Sequence, residues 1–174
     1  MPFGARDRLF EALTALASQP GARLLLTGPV DLDGDSIGAC LALRRVLSRY
    51  GVRAEVAGDL PWRYDTIPEA ECLIPDAAIE PVYDAVVVLD GDRHRLAPTV
   101  AAAFEAARLR GLIDHHASTR TDGYTHPWLI PHATSTCEML YALFLDRGER
   151  FDATLAEQLH AGSIFDTGGF RHGN

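Results

Sequence analysis

Short, wholly apolar runs alternate along the chain with longer segments in which apolar residues recur every three or four positions. The short runs are typical of buried parallel strands, and the periodic segments are typical of amphipathic helices. The predicted strands are Leu24–Leu26, Val52–Val56, Ala85–Leu89 and Gly111–Ile113. The predicted helices are Arg6–Ser18, Ser36–Arg49, Thr99–Arg108, Ser135–Leu145 and Ala153–Ile164. This alternation predicts an α/β fold, an open, doubly wound, mainly parallel sheet with helices on both faces.

The stretch between the second and third predicted strands lacks any such periodicity. Pro61, Pro68, Pro75 and Pro81 interrupt it, which predicts a long irregular connection. The chain has 174 residues, of which 47% are apolar, and this is enough to bury the core of one domain. We therefore expect a single domain over residues 1–174.

The charge balance narrows the classes of function. The formal net charge is −8, which argues against a broad, basic surface for nucleic acid. An anionic substrate would then be captured locally, by metal ions and a few Arg or His side chains. Cys40, Cys72 and Cys137 form no Cys-x-x-Cys pattern, so we expect buried reduced thiols and neither a zinc ribbon nor a disulfide framework.

The apolar residues of the sequence form neither a membrane span nor the core of a signal peptide. No apolar run approaches the roughly 20 residues of a membrane span, and the N-terminal segment has helical periodicity where a signal peptide would have a continuous apolar core. We therefore expect no membrane association and a cytoplasmic location.

Acidic residues and histidines follow an apolar run at four places in the chain. These places are Asp31-Leu32-Asp33-Gly34-Asp35, Leu89-Asp90-Gly91-Asp92, Ile113-Asp114-His115-His116 and Phe165-Asp166-Thr167-Gly168. Three of them directly follow a predicted strand, and the carboxyl ends of parallel strands meet at one edge of the sheet. Carboxylates and imidazoles bind Mn²⁺ or Mg²⁺, and two ions about 3.5–4 Å apart can clamp a displacement at phosphorus. The pattern therefore predicts a polynuclear metal site.

Each of these motifs also has a purely structural interpretation. Asp35 is a good helix N-cap before Ser36, and the glycines after Asp166 are typical of a helix end. The segment Ser135–Glu138 is either a capping box or a helix start that binds an anion. Asp92 and Arg95 are interpreted as a polar loop. The other four histidines are interpreted as surface or core residues, namely His94, His126, His132 and His160.

Taken together and in this order, the four motifs resemble those of the DHH phosphoesterases, which are named for the triplet Asp114-His115-His116. The resembling segments are Asp33–Gly38, Val88–Asp90, the triplet itself and Asp166–Arg171. The first segment, together with the closing Phe170–Asn174, is most similar to family members that degrade very short RNA and dephosphorylate 3'-phosphoadenosine 5'-phosphate. RecJ exonucleases and family II inorganic pyrophosphatases are more distant.

The resemblance implies a role for individual residues. It implies that Asp33 binds one ion and Asp35 the other, and that Asp90 bridges the two. His115 and Asp166 would complete the second ion's ligands. His116 and Arg171 would contact the substrate phosphate, and Asp114 would have a supporting position.

One position departs from the family pattern. Members of this type place a histidine ligand four residues before the first aspartate, where this chain has Pro29. Asp31 either replaces that ligand, as an acidic residue does in RecJ-like members, or is an ordinary solvated loop residue. One of the two metal sites is therefore expected to be weaker than usual or empty.

The resemblance also implies an activity. We expect two Mn²⁺ ions, with Mg²⁺ as an alternative. A water activated by these ions would hydrolyse phosphate esters in short single-stranded oligonucleotides or small nucleotides. The family's usual C-terminal substrate-binding domain is expected to be absent from this chain. A truncated or degenerate, non-catalytic metal- or nucleotide-binding module is the alternative, and inorganic pyrophosphatase activity is a weaker one. A homodimer is one of the oligomeric states left open.

Overall fold

Five parallel strands form the centre of the molecule. A computed structural model describes residues 3–169 and 171. The strands are β1 (Leu24–Thr27), β2 (Ala54–Ala57), β3 (Ala85–Leu89), β4 (Leu109–Asp114) and β5 (His126–Leu129). All of the strand pairs are parallel, in the order β2-β1-β3-β4-β5. The predicted parallel sheet is therefore confirmed.

Helices cover both faces of this sheet. They are α1 (Phe3–Thr14), α2 (Gly34–Arg49), α3 (Pro98–Ala106), α4 (Thr136–Asp146) and α5 (Ala153–Asp166). Alternate strand residues face opposite sides, so Leu24 and Leu26 pack in the larger core with α1, α2, α4 and α5, while Leu25 packs in the smaller core with α3. The doubly wound arrangement is confirmed by these two cores.

The sequence pattern missed β5 and shifted the bounds of β2. β5 has only four residues, contains Pro127 and lies at the edge of the sheet, where a missing N–H donor is tolerated. Residues 115–125 connect β4 to β5 without a helix, so the usual alternation gives no signal there. His126 belongs to this strand. The stretch 62–81 contains only short 3-10 turns, as its prolines predict.

The start of α2 shows which aspartate caps the helix. Asp33 is the N-cap, because its Oδ1 accepts hydrogen bonds from the backbone amides of Asp35 at 2.9 Å and Ser36 at 3.1 Å. The Ser36 hydroxyl in turn accepts from the Asp33 amide at 2.9 Å, which completes a reciprocal cap. Asp35 lies inside the first turn, so the interpretation of Asp35 as the capping residue is wrong.

Two glycines let α2 and α5 approach each other closely. A Cβ on Gly38 would lie 2.3 Å from the backbone oxygen of Gln158, and one on Gly162 would lie 2.4 Å from Asp35 Oδ1 and from Cys137 Sγ. Neither contact can be relieved by moving a flexible side chain. This packing holds the C-terminal half of α5 beside the start of α2.

None of the helices in the described part of the chain is both long enough and apolar enough to cross a bilayer.

We expect Gly38→Ala to destabilise the protein by about 2 kcal/mol, because the added methyl overpacks the contact between α2 and α5. The free energy of unfolding is measured by urea denaturation in EDTA. Gly4→Ala in α1 is the matched control, since its Cβ would meet only the flexible Arg8 side chain; it should be neutral or slightly stabilising. Equal stability of the two variants would show that the close approach is not required.

Candidate metal centre

The site residues lie where the strand order reverses. β1 has β2 on one side and β3 on the other, so the chain leaves β1 and β3 in opposite directions and opens a crevice at their carboxyl ends. Asp33 and Asp35 follow β1, and Asp90 follows β3 directly. The fold itself therefore brings these carboxylates to the place where open α/β sheets bind ligands.

Four side chains converge in this crevice. Asp35, Asp90, His115 and Asp166 each offer one ligand atom, and these atoms all lie within 4.8 Å of one another. Neighbouring ligand atoms around an octahedral ion with bonds near 2.1 Å lie about 3 Å apart, and opposite ones about 4.2 Å. The four donor atoms are therefore spaced as ligands of one divalent ion would be.

His115 is oriented towards this group. Its Nδ1 lies 3.2 Å from the carbonyl oxygen of Ala133, a contact that requires the proton on Nδ1 and leaves the Nε2 lone pair of a neutral ring for a metal. Nε2 is buried and has no hydrogen-bond partner, although Asp166 Oδ2 lies 2.8 Å away. This close approach puts both donor atoms in the group that could hold one divalent ion.

Asp35 is fixed by the N-terminus of α4. Its Oδ2 accepts from the Thr136 amide at 2.6 Å and its Oδ1 from the Cys137 amide at 2.9 Å, and its side chain is fully buried. The anion-binding alternative for this helix start involved such amides, and in this structure the internal carboxylate of Asp35 occupies them. Ser135 caps α4 by accepting from the Glu138 amide at 3.0 Å.

The residue Thr136 links two of the four converging side chains. Its amide donates to Asp35, and its hydroxyl donates to Asp90 Oδ1 at 3.2 Å. Sequence analysis did not identify Thr136, Cys137 or Ala133 as site residues. The only signal near them was the helix-start pattern at Ser135, which does not reveal which residues α4 contacts.

Asp90 has a constrained backbone. Its φ is 62°, in the left-handed region that few residues other than Gly, Asn and Asp adopt, and its amide donates to the Ile113 oxygen at 2.9 Å. Burial raises its pKa well above the ordinary value, the nearby His115 ring opposes this, and the charges of Asp35, Asp33 and Asp166 raise the pKa further.

The converging group retains protons in the absence of a cation. Burial would lower the pKa of His115, but Asp166 and Asp90 outweigh it and raise that pKa to about 10. Burial also raises the pKa of Asp35, against hydrogen bonds from Cys137 and Thr136. Three carboxylates this close repel one another unless protons or a cation neutralise them. A divalent ion would replace those protons.

Asp114 forms a separate hydrogen-bonded network. One oxygen accepts from the amides of His115 and His116 and from the His116 Nδ1 at 2.8 Å, and the other accepts from the Thr119 hydroxyl. These bonds outweigh the effect of burial and lower the pKa of Asp114, while the same contact with Asp114 raises the pKa of His116. Asp114 thus holds the His116 ring and the backbone amides of both histidines of the triplet, while its supporting role stays a prediction.

Asp114, His115, His116 and Asp90 form a second group with the spacing of metal ligands. Asp114 and His116 Nδ1 are already bonded to each other, so this group offers few free donor atoms. Asp33 and Asp31 belong to neither group. Asp33 is half-buried and caps α2, whereas Asp31 is exposed with a φ of 64°.

The fourth motif lies at the end of α5. Asp166 is the last helical residue, and Gly168 and Gly169 have positive φ values as the chain turns. Arg171 is exposed, and its amide donates to the Thr167 oxygen at 2.9 Å. The other residues of the closing motif, Phe170 and 172–174, lie outside the described residues.

Three comparisons place the chain among known proteins. A family model described as "DHH family, N-terminal domain" matches residues 23–163. The bifunctional oligoribonuclease and PAP phosphatase NrnA of Thermus thermophilus is 30% identical over 146 residues, which cover 83% of this chain and 43% of that relative. The chain thus spans less than half the length of this curated relative.

Two solved structures share the fold. An exopolyphosphatase-related protein from Bacteroides fragilis superposes with a TM-score of 0.82 at 21% identity, over 97% of this chain and 52% of that one. RecJ from Thermus thermophilus in complex with Mn²⁺ superposes with a TM-score of 0.55 at 20% identity, over 96% and 25% of the two chains. Since the family model matches most of the chain, this protein belongs to the DHH family and contains its N-terminal domain.

Proposed function

We propose that this chain is a metal-dependent phosphoesterase that hydrolyses phosphate esters of short oligonucleotides or small nucleotides such as 3'-phosphoadenosine 5'-phosphate. The observation that carries the proposal is the convergence of the buried Asp35, Asp90 and His115 and the half-buried Asp166 at the switch point of the sheet, with ligand atoms within 4.8 Å of one another. The curated relative, an oligoribonuclease and PAP phosphatase, supports the substrate class.

The donor set favours hard divalent ions. Carboxylate oxygens and one imidazole suit Mn²⁺ and Mg²⁺, whereas the nearby Cys137 thiol faces the backbone oxygen of Asp35 and belongs to neither group of candidate ligands. We propose Mn²⁺, with Mg²⁺ as the alternative. When bound, such ions supply an activated water and offset charge on the phosphate oxygens.

We propose that His116 contacts the substrate phosphate. Its Nδ1 is bonded to Asp114 at 2.8 Å, and 49% of its side chain is exposed. The bond to Asp114 raises the pKa of His116, which favours the cationic ring and leaves Nε2–H free to donate to an anion. Arg171 is exposed beyond α5, and we propose that its guanidinium contacts the same phosphate.

A second candidate function follows from Pro29. This residue provides no side-chain donor where the family pattern has histidine, which favours a non-catalytic metal- or nucleotide-binding module. Such a module would bind the ion and nucleotide without turnover. A cytoplasmic location, a homodimer and a domain extending over residues 1–174 remain predictions from the sequence.

We expect Asp90→Asn to reduce the rate of hydrolysis of bis-p-nitrophenyl phosphate and of 3'-phosphoadenosine 5'-phosphate by more than about 100-fold. This loss is larger than the usual effect of changing a residue next to a metal ligand, because Asp90 itself is the proposed ligand. Asn tolerates the positive φ of this position, so the fold should persist, as checked by circular dichroism and thermal unfolding.

Asp92→Asn is the matched control for that measurement. Asp92 lies two residues further on, where its Oδ1 accepts from the His94 amide and its Oδ2 from the Arg120 amide. Asn retains the first bond and loses the second, at a position outside the group Asp35, Asp90, His115 and Asp166. The rate of hydrolysis by the Asp92→Asn variant should stay close to that of the unmodified chain. Full activity of Asp90→Asn would overturn the metal mechanism, and Mn²⁺ binding without turnover in the unmodified chain would favour the binding module.

We expect Mn²⁺ binding to expel at least one proton near pH 7. The pKa of His115 is about 10 in the ion-free chain, so its ring is protonated there and must become neutral to bind a metal. Affinity for Mn²⁺ should therefore fall as the pH is lowered from 8 to 6. Calorimetry in two buffers of different ionisation enthalpy measures the released protons.

His115→Gln should bind Mn²⁺ weakly and release fewer protons. A titration of the unmodified chain in which the heat is the same in both buffers would contradict the assignment of His115 as a ligand.

A further inference from the structure

We propose that this chain holds one resident divalent ion and takes up a second ion only together with the phosphate group of its substrate. The proposal rests on the proposed function and concerns how the metal centre is loaded. It follows from which donor atoms are free and which are already bonded among the described residues.

The group Asp35, Asp90, His115 and Asp166 supplies the ligands of the resident ion. Asp35 is held by two backbone amides and Asp90 by the Thr136 hydroxyl, so both carboxylates are oriented before any ion arrives. The buried His115 Nε2, which has no hydrogen-bond partner, points to a missing ligand in the same group. Four oriented donors from the protein are enough to retain an ion without substrate.

The neighbouring group cannot provide an equivalent site. Asp114 accepts four hydrogen bonds, from two backbone amides, the His116 ring and the Thr119 hydroxyl. His116 Nδ1 is one of those donors, so binding a cation here would break the network that orients the triplet. Asp90 is the member that remains available to a second ion.

Asp33 is the other available carboxylate near Asp90. Its Oδ1 caps α2, whereas no described residue donates a hydrogen bond to its Oδ2. Asp33 follows β1 and Asp90 follows the neighbouring strand β3, so both carboxylates lie at the same edge of the sheet, and the charge of Asp33 raises the pKa of Asp90. Among the described residues, no third Asp, Glu, His or Cys joins this pair in a group with the spacing of metal ligands.

Pro29 closes the adjacent space with carbon atoms. A Cβ on Gly91 would lie 2.9 Å from the ring of Pro29, so the ring packs directly against the residue that follows Asp90. Its side chain has no donor atom, and Asp31 next to it is exposed and outside both groups. A second ion would therefore have protein ligands from Asp33 and Asp90 alone.

Ions with one or two protein carboxylates are usually held through substrate phosphates, with water filling the other positions. A phosphate between the resident ion and the second ion would supply oxygen ligands and negative charge that the protein lacks there. By linkage, the phosphate would raise the affinity for the second ion, and that ion would raise the affinity for the phosphate by the same factor.

The test is Mn²⁺ titration of the full chain, followed by electron paramagnetic resonance and calorimetry, with and without adenosine 5'-monophosphate as the phosphate probe. We expect one tightly bound ion without the nucleotide and two with it, the second showing spin coupling to the first. The nucleotide should raise the affinity for the second ion by at least about tenfold, within the usual range of coupling between sites.

The variant Asp33→Asn distinguishes the resident ion from the second ion. Asn is an equally good N-cap, so α2 should remain intact. This variant should keep the resident ion and lose the nucleotide-dependent one, whereas Asp35→Asn should weaken the resident ion. Loss of the resident ion in Asp33→Asn would overturn the assignment of ligands.

The remaining outcomes are distinguishable. Two ions of similar affinity without nucleotide, or one ion under both conditions, would overturn this proposal while leaving a metal-dependent function in place. No bound ion under either condition would overturn the proposed function itself.

Discussion

The structure depends on a buried carboxylate that joins two helix starts. Asp35 belongs to the first turn of α2, and its two oxygens accept hydrogen bonds from the first amides of α4, which lie 101 and 102 positions later in the chain. Burying this charge would be costly without such partners. The amides at the start of a helix are among the few backbone donors left free by secondary structure. The contact therefore satisfies both elements and fixes α4 against α2.

The other parts of the centre are arranged around this contact. Because α4 is held there, Thr136 reaches Asp90 at the end of β3, and Ala133 in the preceding loop reaches the ring of His115. The close packing of α2 on α5 through Gly38 and Gly162 brings Asp166 to the same place. Four segments that are distant in sequence thus converge through hydrogen bonds and helix packing that require no bound ion.

The sequence predicted those features that depend on local pattern. Asp90 and Asp114 each follow an apolar run, so the parallel sheet was enough to bring them to one edge. Contacts such as that between Asp35 and Cys137 leave no local trace, because either residue alone fits a cap or a buried thiol. β5 was missed because a short edge strand with Pro127 lacks the apolar run of a central strand.

The sequence also left the partners of some polar groups undecided. Asp33 was expected as a ligand, and one of its oxygens also serves the helix cap. The start of α4 was interpreted either as a capping box or as an anion-binding helix start, and Asp35 occupies its first amides. In both cases a polar group had two suitable partners, and only the three-dimensional packing decides which partner it takes.

The left-handed backbone at Asp90 has a consequence for how this domain can change over evolutionary time. At φ 62°, Asn and Gly fit without strain, while most other residues carry a backbone penalty. Both replacements remove the negative charge yet keep the turn that ends β3. Under the proposed function, a single replacement at this position therefore removes a metal ligand while the turn that ends β3 is kept.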